Sequence, residues 1–388
     1  MGRLNLNKRK ICVVVASRAN YGRIRSMMRA INSNPELELQ LIVGASALLY
    51  RFGSVVDLIE EDGFKIASKI YTVVEGETPT TMGKSVGLSI IELTTQFENL
   101  KPDIVLTVAD RYETMATAIA ASYMNIPLAH TQGGELTGSI DESVRHSITK
   151  LAHIHFPATE ISKERLIKMG ENPKYIFNHG CPAMDEIADL DLKIHKDFFS
   201  QTGGSGDEID TSKQYIAVLQ HPVTTEYEIN TDAIEETIEA IKKLKMQTVW
   251  LWPNIDAGSD EISKRLRILK SQSKDFPLRL YRNFKIPDYA RLLYNSACLV
   301  GNSSSGIRES AFLGVPSVNI GNRQIGRERG SNVIDVDNKS SDIFNAIQIQ
   351  INTGKFERDF RFGKGDAGIK IAETLSKIKP EIQKKMGY

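Results

Sequence analysis

Short apolar runs rich in Val, Ile and Leu alternate along this chain with longer stretches whose apolar residues recur at helical spacing. "KICVVVAS" (10–17) reads as a buried strand and "ANYGRIRSMMRAIN" as the helix that follows it. The same alternation continues through "LELQLIVGA", "SVVDLIEEDG", the long "TMGKSVGLSIIELTTQFENLK", "DIVLTVAD", "YETMATAIAASYMN" and "IPLAHTQ". "IDESVRHSITKLA" is helical in pattern, "HIHFPAT" extended, and "YIFNHG" is the last apolar run of the first half. Strands separated by helices of ten or more residues predict βαβ units and a mainly parallel sheet.

From about Leu190 the pattern lapses, and "FSQTGGSGDEIDTSKQ" reads as a polar surface loop or linker. The alternation restarts at "YIAVLQH" and runs through a charged helix from Thr231 to Lys245, "TVWLWPN", a helix near Ser259 to Leu269, and "LRLYRN". "DYARLLYNSA", "CLVGN", "VPSVNIG", "NVIDV" and a terminal helical region complete it. The pattern predicts an α/β protein of two Rossmann-type doubly wound domains. The expected boundaries are 1–190, joined by the C-terminal helix 369–388, a linker or surface loop at 191–213, and a second domain at 214–368. In open parallel sheets ligands bind beyond the carboxyl ends of the strands, so polar residues just after strands are the functional candidates.

Bulk properties narrow the classes. A chain of 388 residues is long for one core, and 41% hydrophobic with 25% charged residues is ordinary for a globular protein. A formal net charge of +1 gives no electrostatic footprint for nucleic acid. The apolar run near the N-terminus is too short for a secretory signal, and no segment reaches the ~18 apolar residues of a membrane span. Cys12, Cys181 and Cys298 are scattered within or beside apolar stretches and read as small core residues in a reducing compartment. The expectation is a cytoplasmic, soluble protein with no membrane partner.

The strand ends carry the chemistry. In "CLVGNSSSGIRES" a strand runs into a Gly/Ser turn, with a helix expected from near Ser305; the hydroxyls of Ser303 and Ser304 and the backbone at Gly301 and Gly306 suit an anion. A serine N-cap would explain the same letters. "NRQIGRERG" places Arg323, Arg327 and Arg329 after the next strand, and "SRANYGR" sets Arg18 at another strand-to-helix turn, where a guanidinium suits a phosphate. In the first half, Asp110 and Arg111 end "IVLTVADR", Glu135 follows a Gly-Gly bend, and Asp141, Glu142, Arg145 and His146 come next. Glu142 with His146, and Asp141 with Arg145, are four apart and share a helical face. Caps and surface charges are the ordinary uses of such residues, but acids after two separate strands point to an acid/base pocket. His221 in "VLQHPVTT" repeats the arrangement in the second half.

Other signals weigh less. "GKGDAG" (Gly363–Gly368) spells a dinucleotide fingerprint, but no strand precedes it. His153 and His155 in "HIHF" have no carboxylate or thiolate nearby in sequence to complete a metal site. Trp250 and Trp252 fit core and strand-end packing.

Taken together, "ADRYET", "HTQGGELTGSIDESVRHSITKLAH", "LQHPVTT", "WPNIDAGS", "GNSSSGIRE" and "RQIGRERG" resemble, in order and over nearly the whole chain, the hydrolysing UDP-N-acetylglucosamine 2-epimerases. That resemblance implies a GT-B-like fold with the ligand cleft between its two domains. By motif it places Ser303, Ser304 and Gly306 on the diphosphate and Glu309 on the ribose. Arg18 and His221 would face the nucleotide, with Arg111, Arg145 and Arg323 as further substrate contacts and Phe284 in "RNFKIP" near the uracil. The acid/base candidates fall on Asp110, Glu135 and Asp141, with His146 and His221 beside them. Non-hydrolysing relatives carry a glutamate where this chain has Gln132; a neutral amide cannot take a proton at pH 7, which moves the expected base to Glu135. The implied substrate is a UDP-2-acetamido sugar, either UDP-N-acetylglucosamine or UDP-N,N'-diacetylbacillosamine, with no cofactor and no metal. The implied assembly is a homodimer or a dimer of dimers. A GT-B glycosyltransferase and a catalytically inactive nucleotide-sugar sensor are the rival readings.

Overall fold

A computed structural model describes residues 8–50, 53–76, 78–137, 140–223, 230–253, 259–272, 275–282 and 284–385. Several quoted positions lie outside the described residues: Gly138, Ser139, Thr224, Thr225, Asn283, and 254–258 of "WPNIDAGS". The elements fall into two compact units. The first holds β1 (Arg9–Val15), α1 (Arg18–Ser33), β2 (Leu37–Gly44), α2 (Val55–Glu61), β3 (Ile66–Ile70) and α3 (Pro79–Leu100). It continues with β4 (Ile104–Val108), α4 (Tyr112–Tyr123), β5 (Leu128–Thr131), α5 (Ile140–Leu151), β6 (Ile154–Phe156), α6 (Glu160–Lys168) and α7 (Asp185–Ala188). The second holds α8 (Phe198–Gln201), β7 (Ser205–Gly206), β8 (Tyr215–Leu219), α9 (Asn230–Leu244), β9 (Gln247–Leu251), α10 (Ser259–Gln272) and β10 (Leu278–Tyr281). Then come α11 (Ile286–Asn295), β11 (Cys298–Gly301), α12 (Glu309–Leu313), β12 (Ser317–Ile320), β13 (Val333–Val336) and α13 (Ser340–Thr353), and α14 (Ala367–Lys377) returns to the first unit.

The first sheet has the order β3-β2-β1-β4-β5-β6 and every pair in it is parallel. The second, β13-β12-β11-β8-β9-β10-β7, repeats that order strand for strand, with an added antiparallel edge, β7. In each sheet the order reverses beside its first long strand, at β1/β4 and at β8/β11. These are the topological switch points of a doubly wound fold.

Alternation along β1 builds the core. Ile11, Val13 and Val15 pack with Ile24, Met27 and Ile31 of α1 and Ile371 and Leu375 of α14. Cys12 and Val14 point to the opposite face, with Leu93 and Phe97 of α3 and Ala116 and Ala120 of α4. Full burial of each such aliphatic side chain stabilises by about 1.5–3 kcal/mol. In the second unit Ile216, Val218 and Trp250 pack with Ile234, Ile238, Leu266 and Ile347 from α9, α10 and α13. All three cysteines are buried and unpaired with one another, as their apolar settings imply.

Departures from the sequence reading have local causes. β3 was not anticipated: "IASKI" is half exposed and alternates over only five residues. The segment 191–213 is not simply a linker, because Phe198 and Phe199 of α8 are buried and β7 pairs with Arg279 and Leu280. The expected helix 369–388 ends at Lys377; Pro380 disfavours helical backbone at the residue before it. The glycines of "GKGDAG" serve packing: a Cβ on Gly368 would lie 2.7 Å from the Met27 nitrogen, so α14 approaches α1 closely. Asp185 accepts from the N–H groups of Ala367 (3.0 Å) and Gly368 (2.7 Å) and caps that helix.

Candidate active site

Two neighbouring strand exits of the first sheet use backbone that non-glycine residues avoid. Ala109, just after β4, has φ 59°, and Gln132, just after β5, has φ 60°. Left-handed backbone of this kind costs about 1–3 kcal/mol and is concentrated at functional sites. Neighbouring groups hold both turns. His130 Nε2 donates to the Ala109 carbonyl at 2.8 Å, and Thr149 Oγ1 lies 3.3 Å from His130 Nδ1. Burial drives the His130 pKa down to about 3, so the ring is neutral and can donate from Nε2 alone. Arg23 Nη1 donates to Gln132 Oε1 at 2.8 Å, and Gln132 Nε2 reaches Cys181 Sγ at 3.6 Å.

These turns set up a charged centre. Arg145 of α5, 1% exposed, forms an ion pair with Asp110 and donates from Nη1 to the Glu135 carbonyl at 2.7 Å. Arg165 donates to the Gly134 carbonyl. One buried guanidinium thus joins the β4 exit to the β5 exit. Glu135 itself is buried, 8% exposed. Asp141 and Glu142 occupy the first turn of α5, and His146 Nε2 lies 3.8 Å from Glu142. Burial, reinforced by Arg145 and Arg165 against the pull of Glu142, lowers the His146 pKa and keeps the ring neutral at pH 7. Arg111 Nε lies 3.2 Å from Glu113, and its guanidinium lies over the Tyr112 ring. Arg18 stands exposed at the start of α1, where Ser17 caps the helix by accepting from Asn20 N–H at 3.3 Å.

In the second unit the corresponding strand ends are held by a neutral amide. Asn302, 3% exposed, accepts at Oδ1 from His221 N–H (2.7 Å), and its Nδ2 donates to the His221 carbonyl (2.8 Å). Its own N–H donates to the Leu219 carbonyl at 3.2 Å. Its carbonyl accepts from Gln324 Nε2 (2.8 Å) and Arg323 Nη1 (3.2 Å). Asn302 therefore clamps the exits of β8 and β11 and the loop after β12, and the sequence reading missed it. Its partner at 221 is 81 positions away, beyond any local pattern. Gly301 permits this approach, because at φ 135° a Cβ would lie 2.1 Å from the Leu219 carbonyl oxygen. His221 is driven to about 3 by burial, with the Arg323 charge adding to it.

The serine run is shaped differently from expectation. Ser304–Gly306 form a 3₁₀ turn, and α12 has only five residues. Ser303 caps the turn, accepting at Oγ from Ser305 N–H at 3.3 Å. Serine hydroxyls compete for backbone groups and favour such caps and turns over a continuous helix. What remains for an anion is a cluster of hydroxyls and turn N–H groups, without a long helix dipole behind it. Glu309 Oε2 is buried with no hydrogen-bond partner among the described residues, an acceptor that a ligand hydroxyl would satisfy. Phe284 is 7% exposed, its ring packed against Tyr281 (centroids 4.3 Å apart) and Phe198. It would offer a base its backbone rather than a ring face. Arg329 pairs with Asp335.

No group of three or more His, Cys, Asp or Glu able to hold a metal ion occurs among the described residues. No helix among them is long and apolar enough to cross a membrane.

Comparison with known proteins extends this picture. The sequence model of the family described as UDP-N-acetylglucosamine 2-epimerase matches residues 29–376. A hydrolysing UDP-N,N'-diacetylbacillosamine 2-epimerase of Legionella pneumophila is 35% identical over 371 residues, 95% of this chain and 96% of the relative. A UDP-N-acetylglucosamine 2-epimerase of Neisseria meningitidis is 32% identical over 359 residues, 92% of each chain. The solved structure of a Neisseria meningitidis UDP-GlcNAc 2-epimerase bound to UDP-GlcNAc superposes with a TM-score of 0.79 at 19% identity, covering 95% of this chain and 100% of that one. That likeness identifies the fold as GT-B-like.

Proposed function

Since the chain belongs to the UDP-N-acetylglucosamine 2-epimerase family, we propose that it hydrolyses UDP-N-acetylglucosamine with inversion at C2, giving N-acetylmannosamine and UDP. It is an enzyme of the hydrolysing UDP-sugar 2-epimerase type. The observation that carries the reading is the division of chemistry between two equivalent strand-end positions. One bears the buried Asp110–Arg145 pair with Glu135, the other the Asn302-clamped exits with Ser303, Ser304 and Glu309.

The C2 hydrogen is weakly acidic, so departure of the diphosphate must lead, with positive charge building at C1. Donors on the leaving group favour that step. The hydroxyls of Ser303 and Ser304, the turn at Gly306, Arg18, Arg323 and neutral His221 are assigned to it, and Glu309 to the ribose. The C1–O bond breaks with its electron pair passing to the diphosphate. A carboxylate takes the C2 proton, and a C1=C2 bond forms, leaving a 2-acetamidoglucal. Glu135, desolvated by burial, is assigned that proton. Asp110, paired with Arg145, is assigned to oppose the charge at C1. In the second half a water oxygen bonds to C1 and a proton reaches C2 from the opposite face. Asp141 and His146 are assigned to that water, since a ring neutral at pH 7 can accept its proton. Arg111, beside Glu113, is assigned a further contact to the substrate.

Turnover of UDP-N-acetylglucosamine in D2O, followed by NMR, tests this reading. Free UDP with N-acetylmannosamine deuterated at C2 is expected. Strict dependence of UDP release on an added acceptor would establish a glycosyltransferase instead, and tight UDP binding without turnover a sensor. The second reading, the same reaction on UDP-N,N'-diacetylbacillosamine, draws support from the 35% identity to the Legionella relative. Side-by-side kcat/KM on the two donors separates them. The assembly as a homodimer or dimer of dimers is part of the proposal and is read by light scattering.

A further inference from the structure

Beyond α14 the chain passes over β6 and the C-terminal end of α5. His153 Nε2 donates to the Ile382 carbonyl at 2.9 Å, and its Nδ1 accepts from Leu128 N–H at 3.2 Å, which fixes the neutral ring. Two residues on, Lys384 Nζ donates to the carbonyls of Thr149 (3.0 Å) and Lys150 (2.9 Å), the last turn of α5. A cation there complements the helix end as well as satisfying its open carbonyls. The same ammonium lies 2.5 Å from Glu171 Oε2, a carboxylate with no solvent exposure. His155 Nε2 and Lys150 Nζ meet that carboxylate at 3.0 and 2.9 Å.

The turn that Lys384 grips is linked to the charged centre at both ends. Thr149 contacts His130, which donates to the carbonyl of Ala109, the residue before Asp110. One turn earlier, Arg145 pairs with Asp110 directly. The placement of α5 along its own axis therefore sets both supports of Asp110.

We propose that Lys384 is a positioning residue for the reaction, a tail clasp that fixes α5 and through it Arg145 and Asp110. Its effect on turnover rests on the function proposed above; its effect on α5 does not.

The test uses the full chain carrying Lys384→Met, Lys384→Arg or Lys384→Gln. Lys384→Met is expected to lower kcat about tenfold or more with KM within about twofold, because the residues assigned to the nucleotide lie off α5, Arg18 on α1 and the others in the second unit. Amide exchange over 140–151 should accelerate about tenfold while that over 298–313 stays unchanged. Arginine, which keeps the charge and the reach to the carbonyls, should restore most of kcat. The clasp is overturned if Lys384→Met keeps wild-type kcat and wild-type exchange. It is equally overturned if arginine fails to rescue, or if exchange rises across the whole chain. Should the methionine variant not fold, Lys384→Gln, which keeps a donor within reach of the carbonyls but gives up the charge beside Glu171, decides by a smaller change in kcat and in exchange over 140–151. If the wild-type chain releases UDP from no donor, the functional reading has failed, and exchange over α5 alone decides the clasp.

Discussion

The two sheets share one strand order but equip their switch points oppositely. At the β4 exit a non-glycine residue sits in left-handed backbone and the next residue is a carboxylate locked to a buried arginine. At the β11 exit the left-handed residue is Gly301, and the next is an amide that bonds three neighbouring segments without carrying charge. A fold therefore supplies a location, and the residues placed there supply the chemistry. A proton-transfer site needs charge held in place, at the expense of desolvation. A site for an anionic leaving group needs oriented donors and a frame that brings no negative charge of its own.

The sharpest break in this comparison is Asp110→Asn. It removes the carboxylate paired with buried Arg145, and removing one partner of a buried pair costs about 3–5 kcal/mol. Turnover should fall by about 10²–10⁴ while UDP affinity by calorimetry stays within about twofold. A parallel loss of UDP affinity would mean that the nucleotide, not the sugar, depends on this carboxylate.

Asn302→Leu attacks the other side. It removes two hydrogen bonds to His221 and leaves that residue's buried N–H and carbonyl without them, a loss of about 2–3 kcal/mol. The expected result is UDP affinity weakened about 30- to 100-fold, with the Asp110–Arg145 centre intact by amide exchange over 140–151. Equal damage to both units would dissolve the distinction.

How much of this was legible in the sequence follows from how far each determinant reaches. β1, β4 and β11 announce themselves as apolar runs, and the acids of "ADR" and "GGE" are polar residues directly behind such runs. β3 and β7 escape because an exposed edge strand carries little apolar signal. The partners escape for a different reason. Arg145 could be seen to share a helical face with Asp141, yet the ion pair it makes is with Asp110, and only the packing of α5 on the sheet decides that. Asn302 and Lys384 are polar letters among many. Their importance lies in contacts across 81 and 235 positions.

A smaller effect separates the units less and checks their shared property. His130 and His221, one in each unit, are both held near 3 by burial, against an ordinary value near 6.5. Each unfolded ring binds a proton below about pH 6.5 that the folded ring refuses until about pH 3, so stability rises with pH across that window and is level above it. Each should contribute a slope of up to about 1.4 kcal/mol per pH unit between these limits. Urea midpoints from pH 7.5 to 4.5 should fall on acidification, and His221→Gln should flatten the curve. An unchanged slope in that variant would show that His221 already titrates in the folded state.

The smallest expected effect is the most discriminating about the backbone. Ala109 pays about 1–2 kcal/mol for its left-handed conformation, which glycine would not. Against that, glycine adds about 0.5–1 kcal/mol of unfolded-state entropy. Ala109→Gly should therefore raise stability slightly, by no more than about 1.5 kcal/mol, measured by urea unfolding. Turnover should nonetheless fall several-fold, because the turn that carries Asp110 gains freedom while Arg145 and His130 keep their places. In the second unit the same exchange runs the other way: Gly301→Ala drives a Cβ into the Leu219 carbonyl and destabilises. If Ala109→Gly instead left turnover unchanged, the strained exit of β4 would be an accident of packing, and positioning of the carboxylate would rest on Arg145 alone.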